Sequence, residues 1–213
     1  MPQQFAKASL NSLANIRSGH PFREKIEYDN AGDVRVLQIR DLRLESAFNA
    51  ADLPLIKMPK GGATLLASGD VVIPARGEHY QAVSFASSEP TLASSQLLTL
   101  RVTSDKVLPG YLCWALNQPV AQHTLRNESR GTNMPLLSRQ SLSAVRLTVP
   151  PLDTQHKIVE LQKLWEKEQQ LTQQLLNNRE TMLKGMFHQL LFHTANHTSQ
   201  SAAQDKFEEN QND

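Results

Sequence analysis

Short runs of β-branched and aliphatic residues alternate with turn-forming residues over residues 1–150. Four of these runs predict strands, at residues 34–39 (VRVLQI), 70–73 (DVVI), 96–102 (QLLTLRV) and 145–149 (VRLTV). Three other segments predict short helices, at residues 109–117, 119–125 and 138–144. The first two of these begin with proline, which is tolerated in the first helical turn because no backbone donor is lost there. The pattern is that of a mixed α and β domain.

The character of the sequence changes at the Pro-Pro pair of residues 150–151, because two consecutive prolines cannot continue a strand ladder. Asp153 or Thr154 then offers an N-cap for a helix. Residues 155–191 contain no proline and only one glycine, Gly185, so they predict a single helix roughly 55 Å long.

Apolar side chains recur along this helix every three, four or seven residues. The stripe consists of Leu161, Leu164, Leu171, Leu175, Met182, Met186 and Leu190, with Ile158 and Trp165 on its flank. Glu168 and Asn178 interrupt it at heptad positions, where polar residues often fix the register of coiled coils. No second helix of comparable length precedes it, so we expect the stripe to pack against another chain or copy. The alternative is that the helix folds back on its own domain.

Charge divides the chain into the same segments. Residues 1–150 carry 16 basic against 12 acidic residues, residues 151–192 carry five of each, and residues 193–213 carry one against four. The last segment is rich in Ser, Asn, Gln, Thr and Glu, which predicts a disordered polar tail. A net charge of +4 on the first segment is too small for a nonspecific DNA coat but leaves room for a basic face.

Composition places the chain among globular proteins, with 39% hydrophobic and 20% charged residues in 213. The single cysteine, Cys113, cannot form an intrachain disulfide, and its apolar neighbours indicate a buried thiol in a reducing compartment. No stretch approaches the roughly 18 apolar residues that cross a bilayer, and the first ten residues lack the features of a signal peptide. We therefore expect a cytoplasmic protein without a membrane partner.

Recognisable catalytic motifs are absent from the sequence. It has no phosphate-binding glycine loop, no dinucleotide fingerprint, no nucleophile elbow and no metalloprotease or paired-cysteine motif. The amino-methyltransferase motif is also missing, because no Asn or Asp precedes the Pro-Pro pair. His193 and His197 stand four residues apart, but at a helix end that runs into the polar tail, and Cys113 with a distant histidine forms only a formal dyad. We expect a protein without catalysis, cofactor or metal; a hydrolase built on Cys113 or a histidine ranks far behind.

Several stretches, taken in order, resemble the specificity (S) subunits of type I restriction-modification systems. Residues 17–22 (RSGHPF) and 28–42 (YDNAGDVRVLQIRDL) are similar to that family's opening G-x-P-F and W-L-x-I-x-D stretch. Residues 65–73 (LLASGDVVI), which lead into residues 76–80 (RGEHY), are similar to its l-x-x-G-D-v-l-i-x-x-x-G segment.

The resemblance continues in the same order toward the long helix. Residues 108–116 (LPGYLCWAL) are similar to the family's p-x-Y-L-x-x-l helix, and residues 129–136 (SRGTNMPL) stand in the place of its G-x-x-x-x-x-l loop. Residues 149–159 (VPPLDTQHKIV) are very like its i-P-x-P-x-x-x-Q-x-x-I-v junction. The chain departs from the family with Val36 where tryptophan is frequent and with Thr154 where an acidic residue is usual. Neither departure puts the fold in doubt.

The resemblance implies an α+β fold, in which a mixed α/β target-recognition domain (residues 1–150) is followed by a long dimerisation or spacer helix (151–192) and the tail (193–213). A full S subunit carries two such domains and two helices that pack antiparallel, whereas this chain has one of each. It therefore resembles a half-subunit whose homodimer would read a bipartite, palindromic site in double-stranded DNA. The methyltransferase (M) subunit, and in some systems the restriction (R) subunit, would supply the catalysis.

The resemblance and the residue chemistry together select candidate contacts. The expected DNA-binding residues are Arg130, Thr132 and Asn133 in the first polar loop, Arg76, His79 and Tyr80 in the second, and Arg17, Arg23 and Arg40. Two alternatives stay open for these loops: Arg130 pairs with Glu128, or Tyr80 belongs to the core. The expected dimer-interface residues are Ile158, Leu161, Leu164, Trp165, Leu171, Leu175, Met182 and Met186. A different function also stays open, that of a coiled-coil adaptor or regulator that keeps the fold without reading DNA sequence.

Overall fold

The computed structural model describes residues 5–22, 24–43, 49–61, 63–77, 79–129 and 135–209, with side chains described up to residue 191. The strands are β1 (Ala6–Ser9), β2 (Ala14–Ser18), β3 (Val34–Leu37), β4 (Leu55–Ile56), β5 (Val71–Pro74), β6 (Val83–Ser84), β7 (Thr91–Ala93), β8 (Leu97–Val102) and β9 (Arg146–Val149). The α-helices are α1 (Leu10–Leu13), α2 (Pro109–Leu116), α3 (Pro119–Glu128), α4 (Arg139–Ala144) and α5 (Leu152–Glu209), with 3-10 turns at Asp41–Arg43 and Ala50–Asp52. The predicted α+β class with a long C-terminal helix is confirmed.

The strands form three small sheets. A four-stranded antiparallel sheet has the order β2-β8-β5-β6, and β1 pairs antiparallel with β9 in a separate two-stranded sheet. In the third sheet, β3 lies between β4, which is antiparallel to it, and β7, which is parallel. The four predicted strands correspond to β3, β5, β8 and β9, and the three predicted short helices correspond to α2, α3 and α4.

Alternation along β8 divides the four-stranded sheet into two faces. Leu98 and Leu100 belong to the main hydrophobic core, together with Ile16 of β2 and with helices α2, α3 and α4. Their neighbours Thr99 and Arg101 point to the opposite face, because successive side chains of a strand alternate. Two smaller apolar clusters fill the space around β3, β7 and the 3-10 turns.

The junction before α5 is held by one buried amide. Gln155 is fully buried, and its Oε1 accepts from the backbone N–H of Leu108 at 2.9 Å. Its Nε2 donates to the carbonyl oxygens of Lys106 at 2.8 Å and Pro150 at 2.7 Å. The side chain thus ties the first turn of α5 both to the end of β9 and to the loop before α2.

Two further contacts fix this junction. Gly110 of α2 faces Val159 so closely that an added Cβ would lie 3.1 Å from the valine Cγ1. The hydroxyl of Tyr111 donates to the carbonyl oxygen of Thr148 at 2.7 Å, and burial raises the pKa of this phenol above its ordinary value. The family-like helix at residues 108–116 and the junction at 149–159 are therefore one packing unit.

The chain divides into two compact units, Met1–Leu161 and Gln162–Asp213. The first turns of α5 belong to the first unit. The assigned end of α5 lies beyond residue 192, where the sequence analysis ends the helix. The side chains of the predicted tail lie outside the described residues, and its disorder stays a prediction.

Candidate functional site

The structure describes five of the nine expected DNA-binding residues. Arg17 lies on β2, Arg40 precedes the first 3-10 turn, and Arg76, His79 and Tyr80 follow β5. The other four, Arg23, Arg130, Thr132 and Asn133, lie outside the described residues and stay predictions.

The structure brings the second polar loop beside the end of the first. Arg76 and Leu136 form an isolated antiparallel bridge. The N–H of Gly77 donates to the carbonyl oxygen of Pro135 at 3.1 Å, and the N–H of Leu137 donates to that of Ala75 at 2.9 Å. Gly77 has a φ of 100°, a left-handed conformation that favours glycine. Two loops that are 50 residues apart in the sequence therefore meet, with His79 exposed beside them.

Tyr80 is not available for direct contact. It is 1% exposed and belongs to the main core, where its hydroxyl has no hydrogen-bond partner among the described residues. A phenol buried to this extent cannot touch a ligand at the surface. Tyr80 therefore belongs to the core and not to the DNA-contacting residues, which is the alternative that the sequence left open.

Arg40 belongs to an exposed cluster that the sequence analysis identified only in part. Its guanidinium lies over the Tyr28 ring, 5.7 Å from the centroid, and its Nη2 donates to the Tyr28 hydroxyl at 2.7 Å. The amide of Gln38 donates to the same hydroxyl at 3.0 Å, and Tyr28 is 50% exposed. Tyr28 and Gln38 both lie in the family-like stretch at residues 28–42. An aromatic and an amide residue in the same stretch as an arginine were the sequence signal that could have identified them. A guanidinium, an amide and an aromatic ring are side chains that bind bases and phosphates.

A polar cleft of about 270 Å³ covers part of the sheet face opposite the main core. Asn15 and Arg17 of β2 face Arg101 and Thr99 of β8 in the antiparallel register, and all four residues line the cleft. The segment 63–66 and the turn at residues 18–21, which contains His20, form its rim. Of these residues, only Arg17 was predicted from the sequence to contact DNA.

An ion pair between a buried carboxylate and a partly exposed guanidinium forms one wall of this cleft. Asp70 is 4% exposed, and its two carboxylate oxygens accept from Arg101 Nε at 2.7 Å and Nη2 at 2.6 Å. The Arg101 Nη2 also donates to the carbonyl oxygen of Leu65 at 3.2 Å, and Asp70 Oδ2 accepts from the N–H of Ala67 at 2.9 Å. The hydrogen bonds that Arg101 donates to Asp70 raise the pKa of Arg101 above its ordinary value. Arg101 is therefore held rigidly.

Close backbone packing shapes the other wall. A Cβ added at Gly19 would lie 2.1 Å from the carbonyl oxygen of Ser94 and 2.5 Å from that of Ala93. The N–H of Gly19 donates to the Leu97 carbonyl oxygen at 3.0 Å, and that of His20 donates to Ala93 at 2.7 Å. Only glycine allows the backbone of residue 19 to lie so close to the β7–β8 turn. The RSGHPF stretch therefore packs against this turn, and His20 lies beside the cleft.

The expected interface residues lie along α5. Ile158 is partly buried and packs against the main core, so it already has a partner within the first unit. The other seven are between 49% and 67% exposed: Leu161, Leu164, Trp165, Leu171, Leu175, Met182 and Met186. Leu190 of the predicted stripe is 64% exposed, and four residues outside the stripe are 45% to 73% exposed: Leu176, Leu183, Phe187 and Leu191. The apolar surface of α5 is thus wider than the predicted stripe.

Cys113 is partly buried against the main core, and its thiol lies 3.5 Å from the carbonyl oxygen of Ala82. The part of the chain that the structure describes contains no group of three or more metal-binding side chains. It also contains no helix long and apolar enough to cross a membrane.

Comparisons with known proteins agree on one family. A family model described as the type I restriction modification DNA specificity domain matches residues 2–179. The S subunit of a type I restriction-modification system from M. genitalium is 12% identical with a TM-score of 0.52, over 76% of this chain and 39% of that one. The HsdS subunit from Thermoanaerobacter tengcongensis is 20% identical with a TM-score of 0.52, over 79% and 38%.

A third similar structure comes from a study of the complex assembly and conformational transition of the type I R-M system. It is 18% identical with a TM-score of 0.56, over 87% of this chain and 44% of that one. At these identities the three likenesses show the fold. The chain spans about two fifths of the length of these structures. No curated protein sequence matches it.

Proposed function

Because the chain belongs to the family of type I restriction-modification DNA specificity domains, we propose that it is a DNA-recognition subunit that acts as a homodimeric half-S subunit. The observation that carries this proposal is the family match over residues 2–179, which includes the recognition domain and the first half of α5. The subunit reads one half of a bipartite site with each copy and has no catalytic role of its own.

DNA recognition needs two kinds of contact, those that position the protein on the duplex and those that read its base sequence. Cationic side chains hold the phosphates, and guanidinium, amide and imidazole groups contact base edges in the major groove. Arg76 and His79 lie on the polar loop after β5. Arg40 and Gln38 both donate to the Tyr28 hydroxyl, and the Asp41 carboxylate lies 3.7 Å from Arg40 Nε. Arg23, Arg130, Thr132 and Asn133 remain in the proposed contact set from the sequence.

The exposed apolar surface of α5 supports the homodimer. Seven of the expected interface side chains are at least 49% exposed in the single chain, far more than scattered surface leucines would explain. Two antiparallel copies related by a two-fold axis cover the same surface on each other. The paired helices would then set the distance between two recognition domains, and the site would be palindromic.

The methyltransferase subunit is the proposed catalytic partner, and a restriction subunit joins it in systems that cleave. Double-stranded DNA is the substrate of the assembly, and this chain supplies its specificity. The test of the assembly is light scattering of the purified chain, alone and with its proposed methyltransferase partner. A dimer of twice 23.8 kDa that captures the methyltransferase supports the proposal, and methylome sequencing then reveals the site.

The interface has a matched test. We expect Leu171→Asp with Leu175→Asp to shift the protein toward monomer, because two charges then replace apolar side chains on the stripe. The control is Gln173→Asp with Asn177→Asp, which adds the same charge with the same spacing on the other face of α5, where these two side chains already bond each other. A sedimentation profile that the leucine pair leaves unchanged would refute the homodimer.

The adaptor function remains the second candidate, because the net charge of +4 on residues 1–150 is modest for a DNA-binding domain. A dimer that captures a partner protein, yet binds cognate and unrelated duplexes equally weakly at moderate salt, would favour it.

A further inference from the structure

We propose that the polar cleft between β2, β8 and residues 63–66 binds a phosphate group of the DNA backbone, with Arg17 as its principal ligand. This inference rests on the proposed function and adds to it a site that includes Asn15, His20 and Arg101. The juxtaposition that carries it is a guanidinium with no partner among the described residues, beside a second guanidinium held by a buried carboxylate.

The charge of the cleft favours an anion. Its lining contains two guanidinium groups, those of Arg17 and Arg101, and one carboxylate, that of Asp70. Both oxygens of this carboxylate are already engaged, by Arg101 and by the N–H of Ala67. Asp70 therefore neutralises one guanidinium and leaves the other, so the cleft has a net charge of +1 with histidine neutral.

The side chain of Arg17 makes no hydrogen bond or ion pair with any other described residue. Its backbone carbonyl oxygen accepts from the Thr99 hydroxyl at 3.4 Å, but its guanidinium keeps all five donors. Arg101 uses Nε and Nη2 for Asp70 and Leu65, and its Nη1 has no partner among the described residues. In the β2–β8 register Asn15 faces Arg101 and Arg17 faces Thr99, so the two arginines are diagonal neighbours on one face.

The remaining lining also supplies donors. Thr64 carries a hydroxyl group, and Asn15 carries an amide. The His20 ring is held at the rim by an edge contact with Phe22, with ring centroids 4.9 Å apart. A phosphate accepts hydrogen bonds from every side, whereas a base edge requires both donors and acceptors. The net positive charge of the cleft favours a charged phosphate over an uncharged base edge.

Rigidity distinguishes this cleft from the exposed cluster around Arg40. Its floor is the four-stranded sheet, one wall is fixed by the Asp70–Arg101 pair, and the other is fixed by the contact of Gly19 with the β7–β8 turn. Arg101 is held in place by Asp70 before a ligand binds, so its contact costs little side-chain ordering, whereas the Arg17 side chain is ordered on binding. Contacts of this kind position a protein on the duplex without reading its sequence.

The test is the salt dependence of binding to a duplex of mixed sequence, measured by fluorescence anisotropy with the full-length chain. We expect Arg17→Gln to weaken binding roughly ten-fold and to reduce the slope of log K against log salt by about one. Arg17→Lys should retain most of the slope, because the charge stays. The control is Arg126→Gln, which removes one exposed charge from α3 on the core side of the sheet and should change neither quantity.

Three outcomes would overturn the assignment. If the wild-type chain binds DNA and Arg17→Gln leaves the slope unchanged, the cleft holds no backbone phosphate, and the proposed function stands. If Arg17→Gln weakens only the cognate site, the cleft reads a base. If inorganic phosphate shifts the Arg17 Nε–H resonance while the duplex does not, the cleft takes a free anion. A wild-type chain that binds no duplex would instead contradict the proposed function itself.

Discussion

Gln155→Leu is the substitution that best tests how the recognition domain is joined to α5. Leucine has a similar volume, so the packing of this fully buried position changes little. The hydrogen bonds change completely, because the Leu108 N–H loses its acceptor and the carbonyl oxygens of Lys106 and Pro150 lose their donor.

The expected cost follows from these three groups. A buried donor or acceptor left without a partner costs about 1–3 kcal/mol, and carbonyl oxygens are the more tolerant of the two. We therefore expect Gln155→Leu to lower the free energy of unfolding by roughly 3–5 kcal/mol. For a chain of this size that corresponds to a Tm lower by about 10 °C. Gln155→Glu should cost at least as much, since a carboxylate cannot donate to the two carbonyl oxygens.

The assay is urea unfolding followed by circular dichroism, at one protein concentration for every variant. The control is Gln173→Leu on the same helix, which removes only an exposed bond to Asn177 and should stay within about 0.5 kcal/mol of the wild type. If Gln155→Leu and Gln173→Leu lower the free energy of unfolding by the same amount, the buried amide of Gln155 does not hold the junction.

Two further substitutions test other parts of the fold. Gly19→Ala should lower the free energy of unfolding in urea by roughly 3 kcal/mol, because its Cβ would meet the Ser94 carbonyl oxygen. The control, Gly185→Ala, has open space around it and should raise the free energy of unfolding by about 1 kcal/mol. Equal effects of the two substitutions would contradict the close approach at Gly19. Tyr111→Phe should cost about 1 kcal/mol at pH 8 by losing its bond to Thr148. Burial raises the folded-state pKa of this phenol, so the wild type should lose stability as the pH rises above about 10, where the unfolded phenol ionises. An alkaline loss of equal size in Tyr111→Phe would exclude Tyr111 as its cause.

The sequence predicted the elements whose residues carry a strong local pattern. The strands β3, β5, β8 and β9 are rich in valine, leucine and isoleucine, and α2 and α3 begin with proline, so each was visible without its partners. The strand β1 (AKAS) and the strand β2 (ANIRS) were missed. Their sequences are short and polar, and they form strands because distant partners, β9 and β8, pair with them. Tertiary pairing decided their structure, not local propensity.

The same reason limits prediction of the cleft. Arg17 was selected because it stands in a family-like stretch, but Asn15 and Arg101 acquire a role only through the pairing of β2 with β8. Asp70 was predicted only as the first residue of a strand, and nothing local indicates that Arg101, 31 residues away, binds it. The core position of Tyr80 was likewise set by packing, although its sequence neighbours are polar.

The exposed apolar surface of α5 was predicted only in part, because its residues were sought at spacings of three, four and seven. Trp165, Leu176 and Phe187 are exposed apolar residues 11 positions apart, and so are Leu164, Leu175 and Met186. A spacing of 11 residues corresponds to about 3.67 residues per turn, which is closer to the 3.6 of an α-helix than to the 3.5 of a heptad. A heptad pattern therefore drifts around the helix and leaves out some of the exposed apolar residues. At 100° per residue the exposed apolar side chains from Leu161 to Leu190 span an arc of roughly 160°, which is wider than the seam of a two-helix coiled coil. In the proposed homodimer, an antiparallel pair would therefore leave apolar surface on its flank, and this surface would be open to contact with the proposed methyltransferase partner.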